Sequence, residues 1–184
     1  MNPAVVSPRR PAQWTSSPDL PGSDLPPRKP AYRLRPMREG DVRAVTRIER
    51  LSYPQPWPAA LFRRLVRTGC ECWALVWQGT VRGYGVMRVG RGWSHVMNLA
   101  IAPGFRGRGL GRALMRHLLI EAHRRKADRV WLEVRPNSRR ALRLYRSLGF
   151  RPVGRRHHYY REGHLPLDAI VMTRRLTGRG ASGA

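Results

Sequence analysis

Two groups able to move protons stand in the second half of the chain. Glu133 lies in Trp131-Leu132-Glu133-Val134-Arg135, and Tyr145 lies in Leu144-Tyr145-Arg146-Ser147-Leu148-Gly149-Phe150. Transfer of an acyl group from a thioester to an amine calls for such a pair. An ammonium has no free lone pair and needs a base, and a departing thiolate is better released as a thiol and needs an acid. Taken singly, each residue has a plainer reading. An acid inside an apolar strand usually faces solvent, and a tyrosine sharing a helix face with Ala141 and Leu148 usually packs in a core.

Upstream, the run from Leu99 to Arg112 (LAIAPGFRGRGLGR) passes from an apolar stretch through a turn with glycines at 107, 109 and 111 into an amphipathic helix. The first turn of a helix leaves N–H donors unpaired, and the helix dipole adds positive charge at that end. Glycine removes the Cβ atoms that would keep a ligand away. The product is a site for a diphosphate. A ligand-free strand-to-helix turn is the plain alternative. No Lys-Ser/Thr follows, so this is not a Walker loop. No acidic ribose-binding residue follows the next strand at the usual distance, which argues against a dinucleotide fold.

The spacing Arg106-x-x-Gly109-x-Gly111 resembles the acetyl-CoA signature of GNAT acetyltransferases, and Leu144-Tyr145-x-x-Leu148-Gly149-Phe150 resembles the family's second signature. Trp131–Arg135, Pro56-Trp57, Tyr159-Tyr160 and Asp168–Met172 are similar to the RimI type, the ribosomal-protein-alanine N-acetyltransferases. The similarity spans roughly Tyr32 to Leu176. It implies acetyl-CoA as co-substrate and no metal. It implies a diphosphate held by amides of Gly107, Arg108, Gly109, Leu110, Gly111 and Arg112 beside Arg106, with pantetheine paired along Leu99, Ala100 and Ile101. It implies Glu133 as base, through water, and Tyr145 as acid near the sulfur. The implied acceptor is a protein N-terminal amine, above all the N-terminal alanine of a small-subunit ribosomal protein. Trp57, between two prolines, reads either as a wall for that acceptor or as a plug on the core, and Tyr159 and Tyr160 as walls of its groove or, for one ring, as ordinary strand packing. One departure is visible. The family's usual Asn contact to the cofactor falls on Ser138, with Asn137 one place earlier and available as a helix cap.

These groups need a frame to hold them. The periodicities predict a strand over Tyr32–Arg35 and a helix over Glu39–Ser52, with Val42, Val45, Ile48 and Glu49 on one face. A proline-broken link, Tyr53–Pro58, leads to a helix over Ala59–Arg67. Strands follow over Glu71–Trp77 and Val81–Val89, joined at Gln78-Gly79-Thr80, and over Trp93–Ile101. Then come a helix over Gly109–Lys126, a strand over Arg129–Val134, a helix over Ser138–Leu148, and strands over Arg151–Tyr160 and Asp168–Leu176. In the long helix, Leu110, Ala113, Leu114, His117, Leu118 and Glu121 make one face. The order β-α-α-β-β-β-α-β-α-β-β predicts an α/β fold, the GNAT fold by resemblance, with a mixed central sheet and helices on both faces.

Composition bounds the partners. The 184 residues suggest one domain, and the formal charge is 36 − 11 = +25, almost all of it from arginine. Such a surface attracts anionic cofactors and allows non-specific contact with RNA, although an arginine-biased codon usage accounts for it equally well. Seventeen basic and three acidic residues fall between Gly104 and Arg161. Residues 1–30 hold 8 of the 16 prolines and read as a disordered tail. Residues 31–176 read as the acetyltransferase domain and 177–184 as a flexible tail. Cys70 and Cys72 are too close for an unstrained disulfide and too few for a zinc site. No apolar run reaches membrane-span length and no signal peptide is seen, so a cytoplasmic location without membrane association is expected. His157 and His158 read as solvated residues at a strand edge. Two alternatives stay open: a GNAT enzyme for a small amine or lysine side chain, and a non-catalytic RNA- or ribosome-binding module.

Overall fold

In the computed structural model, which describes residues 32–162 and 165–176, the elements follow the expected order. They are β1 (Tyr32–Pro36), α1 (Val42–Arg50), α2 (Ala59–Arg67), β2 (Glu71–Trp77), β3 (Thr80–Gly90), β4 (Trp93–Ile101), α3 (Leu110–Arg124), β5 (Arg129–Val134), α4 (Arg139–Ser147), β6 (Arg151–Glu162) and β7 (Leu165–Arg175). The tails expected at 1–30 and 177–184 lie outside the described residues. The first helix is shorter than its periodicity suggests. Glu39–Asp41 is a 3₁₀ turn, pinned by Asp41, whose carboxylate accepts from both Arg35 and the Arg38 amide.

All seven strands form one sheet in the order β1-β2-β3-β4-β5-β7-β6. Only β4 and β5 are parallel, the pairing that a crossover through α3 requires. The β2–β3 hairpin turns at Gln78-Gly79, both at positive φ, the backbone that suits a two-residue link between twisted strands. Helices cover both faces, as neighbouring residues of β3 reveal. Tyr84 meets Phe62 of α2 edge-on, while Gly85 faces Leu114 and Leu118 of α3. A Cβ at Gly85 would come within 3.0 Å of Leu118, so the missing side chain lets α3 press onto the sheet. The helix is turned accordingly. Met115, Leu119 and Ala122 are buried, whereas Ala113 and His117, expected on the buried face, are half-buried.

The feature that makes room for a site is a bulge. Val86 of β3 pairs with Asn98, and Met87 pairs with Val96, leaving Met97 of β4 without a partner. A bulge bends its strand and raises the local twist. Pairing of β4 with β5 stops at Val96 and Leu132. Beyond that point the strands part, and Leu99–Ile101 on one side and Glu133-Val134 on the other border a gap.

Candidate active site

Two cavities meet in this gap. The larger, about 1240 Å³, runs along the end of β4, the turn before α3 and the face of α4. Gly109 caps α3 in a left-handed conformation (φ 76°), and Gly107 is left-handed too (φ 82°). A residue with a Cβ would be strained at either place. Six arginines line the cavity, at positions 106, 112, 139, 140, 143 and 146, and among the described residues no acid does. An elongated anion bearing several phosphates fits this donor set. The open edge of β4 also suits amide groups of a ligand lying alongside it.

Ten of the expected coenzyme residues, together with Tyr145, therefore fall at one cavity. Arg108 is the exception. Its guanidinium turns away and lies over Phe105, 5.5 Å from the ring centre, leaving only its backbone in the turn. Arg106 lines the cavity, but its Nε donates to the Ile101 carbonyl (2.9 Å) and Nη2 donates to Ser52 Oγ (2.8 Å). It ties the end of β4 to the α1–α2 link. Asn137 does not cap α4. Ser138 holds the cap position without a side-chain capping bond, and both residues line the cavity.

The smaller cavity, about 320 Å³, opens on the other side of the gap. Glu133, Trp57, Tyr159 and Tyr160 line it. Trp57 also packs against Phe62, so it is wall and core plug together. The two cavities share Tyr53, Leu99, Ser138, Ala141 and Tyr145. Any group passed between ligands in the two cavities must cross at these residues.

Glu133 is held from two sides. Its side chain is only 3% exposed. Arg156 Nη1 donates to Oε1 at 2.5 Å, and His95 Nε2 lies 2.7 Å from Oε2. Burial alone pushes this carboxyl upward, but the bonds from His95 and Arg156 outweigh it and leave the pKa below the usual glutamate range. The group is therefore ionised at neutral pH and accepts only, so His95 Nε2 carries the proton between them. His95 stacks on Trp131, its pairing partner across β4 and β5, with ring centroids 3.6 Å apart. Tyr145 lies in the apolar core formed with Leu142, Leu148 and Phe150, and burial pushes its phenol up to about 12. It remains protonated at neutral pH.

Four residues at the site were not singled out from sequence. His95 and Arg156 touch Glu133 only because β4, β5 and β6 come together, which spacing along the chain does not reveal. Tyr53 donates to the Leu99 carbonyl at 2.8 Å, occupying one acceptor of the open strand edge. Glu49, at the floor of the smaller cavity, is 1% exposed and accepts from the Trp57 amide, Asn98 Nδ2 and the Tyr84 hydroxyl. Its signal was present: a carboxylate on the apolar face of a predicted helix must find buried donors. Among the described residues no group of three metal-ligating side chains stands together, and no helix is long and apolar enough to cross a membrane.

A parallel pair splayed by a bulge, a glycine turn opening onto it and an arginine-lined groove define a coenzyme A-dependent acyltransferase, and residues 42–150 match the acetyltransferase (GNAT) family, to which the chain belongs. It is an acetyltransferase with acetyl-CoA as co-substrate. Among individual proteins it is similar to the [ribosomal protein bS18]-alanine N-acetyltransferase of Escherichia coli, at 32% identity over 72% of this chain and 89% of that one. It is also similar to the N-alpha-acetyltransferase RimI of Mycobacterium tuberculosis, at 40% identity over 65% of this chain and 75% of that one. The crystal structure of the ribosomal-protein-S18-alanine N-acetyltransferase from Escherichia coli superposes with a TM-score of 0.77 at 28% identity, covering 83% of this chain and 99% of the other.

Proposed function

We propose that this enzyme acetylates the α-amine of a protein N-terminus, with the N-terminal alanine of a small-subunit ribosomal protein as its acceptor. The observation that carries this reading is the junction of the two cavities. The larger has the charge and shape for coenzyme A, and the smaller is a short pocket walled by Trp57, Tyr159 and Tyr160 with Glu133 at its side. It has room for the small first residue of a chain. The relatives named for acetylation of ribosomal protein S18 support the same acceptor.

The residues divide the work as follows. The amides of the turn before α3, with Arg112, Arg139, Arg140 and Arg143, hold the phosphates, and the edge of β4 at Leu99–Ile101 aligns the arm. Acetyl-CoA supplies a thioester carbonyl for an amine to attack. Glu133 draws the acceptor ammonium into place and takes its proton. With its pKa lowered it is a weak base, so it holds that proton briefly and passes it to water. Arg156 and His95 keep the carboxylate charged and fixed. Tyr145 donates its hydroxyl proton towards the leaving sulfur. Burial raises the pKa of the phenol and of the thiol alike, so a buried tyrosine is not as mismatched to this role as its value suggests.

Tyr145→Phe removes the donor and little else. Turnover should fall roughly ten- to a thousandfold while KM for both substrates stays within about twofold. Steady-state kinetics on a free N-terminal alanine peptide checks it, and an unchanged kcat would assign the proton to another group. The acceptor itself is tested with labelled acetyl-CoA, ribosomal proteins and mass spectrometry. Label confined to an N-terminal alanine supports the reading. Label on lysine side chains or on small amines in its place overturns it, and RNA binding without any transfer would make the chain a binding module.

A further inference from the structure

The double tyrosine on β6 presents a geometric puzzle. Consecutive residues of a strand face opposite ways, yet Tyr159 and Tyr160 both line the smaller cavity, their rings 4.9 Å apart and nearly perpendicular. The register of the last hairpin resolves it. Arg156 pairs with Ala169 and Tyr160 pairs with Leu167. Three residues of β6, His157, His158 and Tyr159, therefore stand opposite the single residue Asp168. A bulge this wide has two costs. His158 adopts a left-handed backbone, φ 54°, unusual for a residue with a Cβ. Main-chain donors in the bulge also lose their strand partners.

Asp168 answers both. Its Oδ1 accepts the His158 amide at 3.1 Å, and its Oδ2 lies 3.1 Å from His157 Nδ1. One carboxylate thus stands in for the missing strand partner and clamps the left-handed residue from below. The two tyrosines and Arg156, set by the bulge, gather at the cavity and at Glu133. Arg156, just before it, reaches Glu133 and lies over the Tyr159 ring at 4.5 Å. Tyr160, just after it, receives Arg135 over its face at 4.3 Å.

We propose that Asp168 is a positioning residue for the acceptor: by bonding the backbone of the β6 bulge it turns both tyrosines and Arg156 onto the acceptor cavity. The inference rests on the reading of that cavity as the peptide site. Asp168 lies on the outer hairpin, and its side chain is not among those lining either cavity.

The test is kinetic, on the full chain, with a free N-terminal alanine peptide. Asp168→Ala should raise KM for the peptide about tenfold or more and leave KM for acetyl-CoA unchanged, which also shows that the variant is folded. Asp168→Asn keeps an oxygen for the His158 amide and should fall between. The decisive variant is Asp168→Ala combined with His158→Gly. Glycine adopts the left-handed conformation without strain, so the second change should recover most of the lost peptide affinity, while His158→Gly alone stays near wild type. A peptide KM unaltered by Asp168→Ala, or no recovery in the double variant, overturns the proposal. Tyr159→Ala and Tyr160→Ala separate the two levels. If both raise peptide KM and Asp168→Ala does not, only the positioning role falls. If neither does, the cavity reading falls and takes the inference with it.

Discussion

Glu133→Gln is expected to lower turnover about a hundred- to ten-thousandfold at neutral pH while acetyl-CoA affinity stays within about twofold of wild type. The two halves of that expectation have separate causes. Glutamine is nearly the same shape, but its amide cannot take a proton from an ammonium, and while its oxygen can still accept from one of His95 and Arg156, its NH2 group faces the other, which is a donor itself. The coenzyme groove, by contrast, is not lined by Glu133, so the phosphates would meet the same wall. Single-turnover kinetics with calorimetry of acetyl-CoA binding checks both. A variant that turns over like wild type would remove Glu133 from the chemistry.

The pH dependence has a definite sign. The pKa of Glu133 is depressed in the folded protein by His95 and Arg156. Its contribution to stability is therefore complete above the unfolded carboxylate value, about 4.3, and is lost as pH falls through the lower folded value. The difference in stability between wild type and Glu133→Gln should narrow as the pH drops below the ordinary glutamate range. Because the carboxylate stays charged well into acid, a loss of activity setting in near pH 6 cannot come from its protonation.

Glu49→Ala is expected to damage the fold severely, costing about 3–5 kcal/mol and roughly 10–20 °C in melting temperature. Glu49 is fully buried, and one carboxylate satisfies the Trp57 amide, Asn98 and Tyr84 together. Alanine leaves the Trp57 amide and Asn98 Nδ2 without their acceptor, leaves the Tyr84 hydroxyl only Asn98 Oδ1 (3.2 Å), and opens a void between α1, β3 and β4. Against a total of about 5–15 kcal/mol for a domain, that is a large share. Glu49→Gln should cost much less. Its oxygen can still serve Trp57 and Asn98, and the Tyr84 hydroxyl can rotate to accept from its amide. Thermal unfolding of the pair decides the matter. Equal melting points for Glu49→Ala and wild type would mean that the network carries no weight.

What could be read from the chain follows the range of the interactions. The element order came from periodicities of 3.6 and 2, which are local, and the diphosphate turn came from three glycines and a helix start, also local. The element order stands in the structure, and the turn has the left-handed glycines at 107 and 109 just before α3. The ends of elements were harder. Asp41 closes a 3₁₀ turn where a helix was expected because Arg35, on a different element, reaches its carboxylate. The face of α3 was set by the absence of a side chain at Gly85, a fact about another strand. The Arg108 guanidinium lies over Phe105 and Trp77, contacts that spacing along the chain does not reveal, while its backbone stays in the turn. The partners of Glu133 lie on β4 and β6, and no spacing rule joins them. Tyr159 and Tyr160 were expected to wall the acceptor, but strand alternation alone would have sent one ring away. The bulge that brings both inward depends on Asp168 across the hairpin.

The provenance of the walls has a consequence for how such enzymes diversify. The phosphate turn, Glu133 and Tyr145 all come from one continuous stretch, residues 99–145, whereas Trp57 and the double tyrosine come from segments on either side of it. Chain continuity thus separates most of the wall of the larger cavity from Trp57 and the double tyrosine of the smaller one, while His95 and Arg156, which hold Glu133, lie outside that stretch as well. A change in the flanking segments can therefore reshape the smaller cavity while most of the larger one keeps its wall, but a change at Arg156 also reaches Glu133.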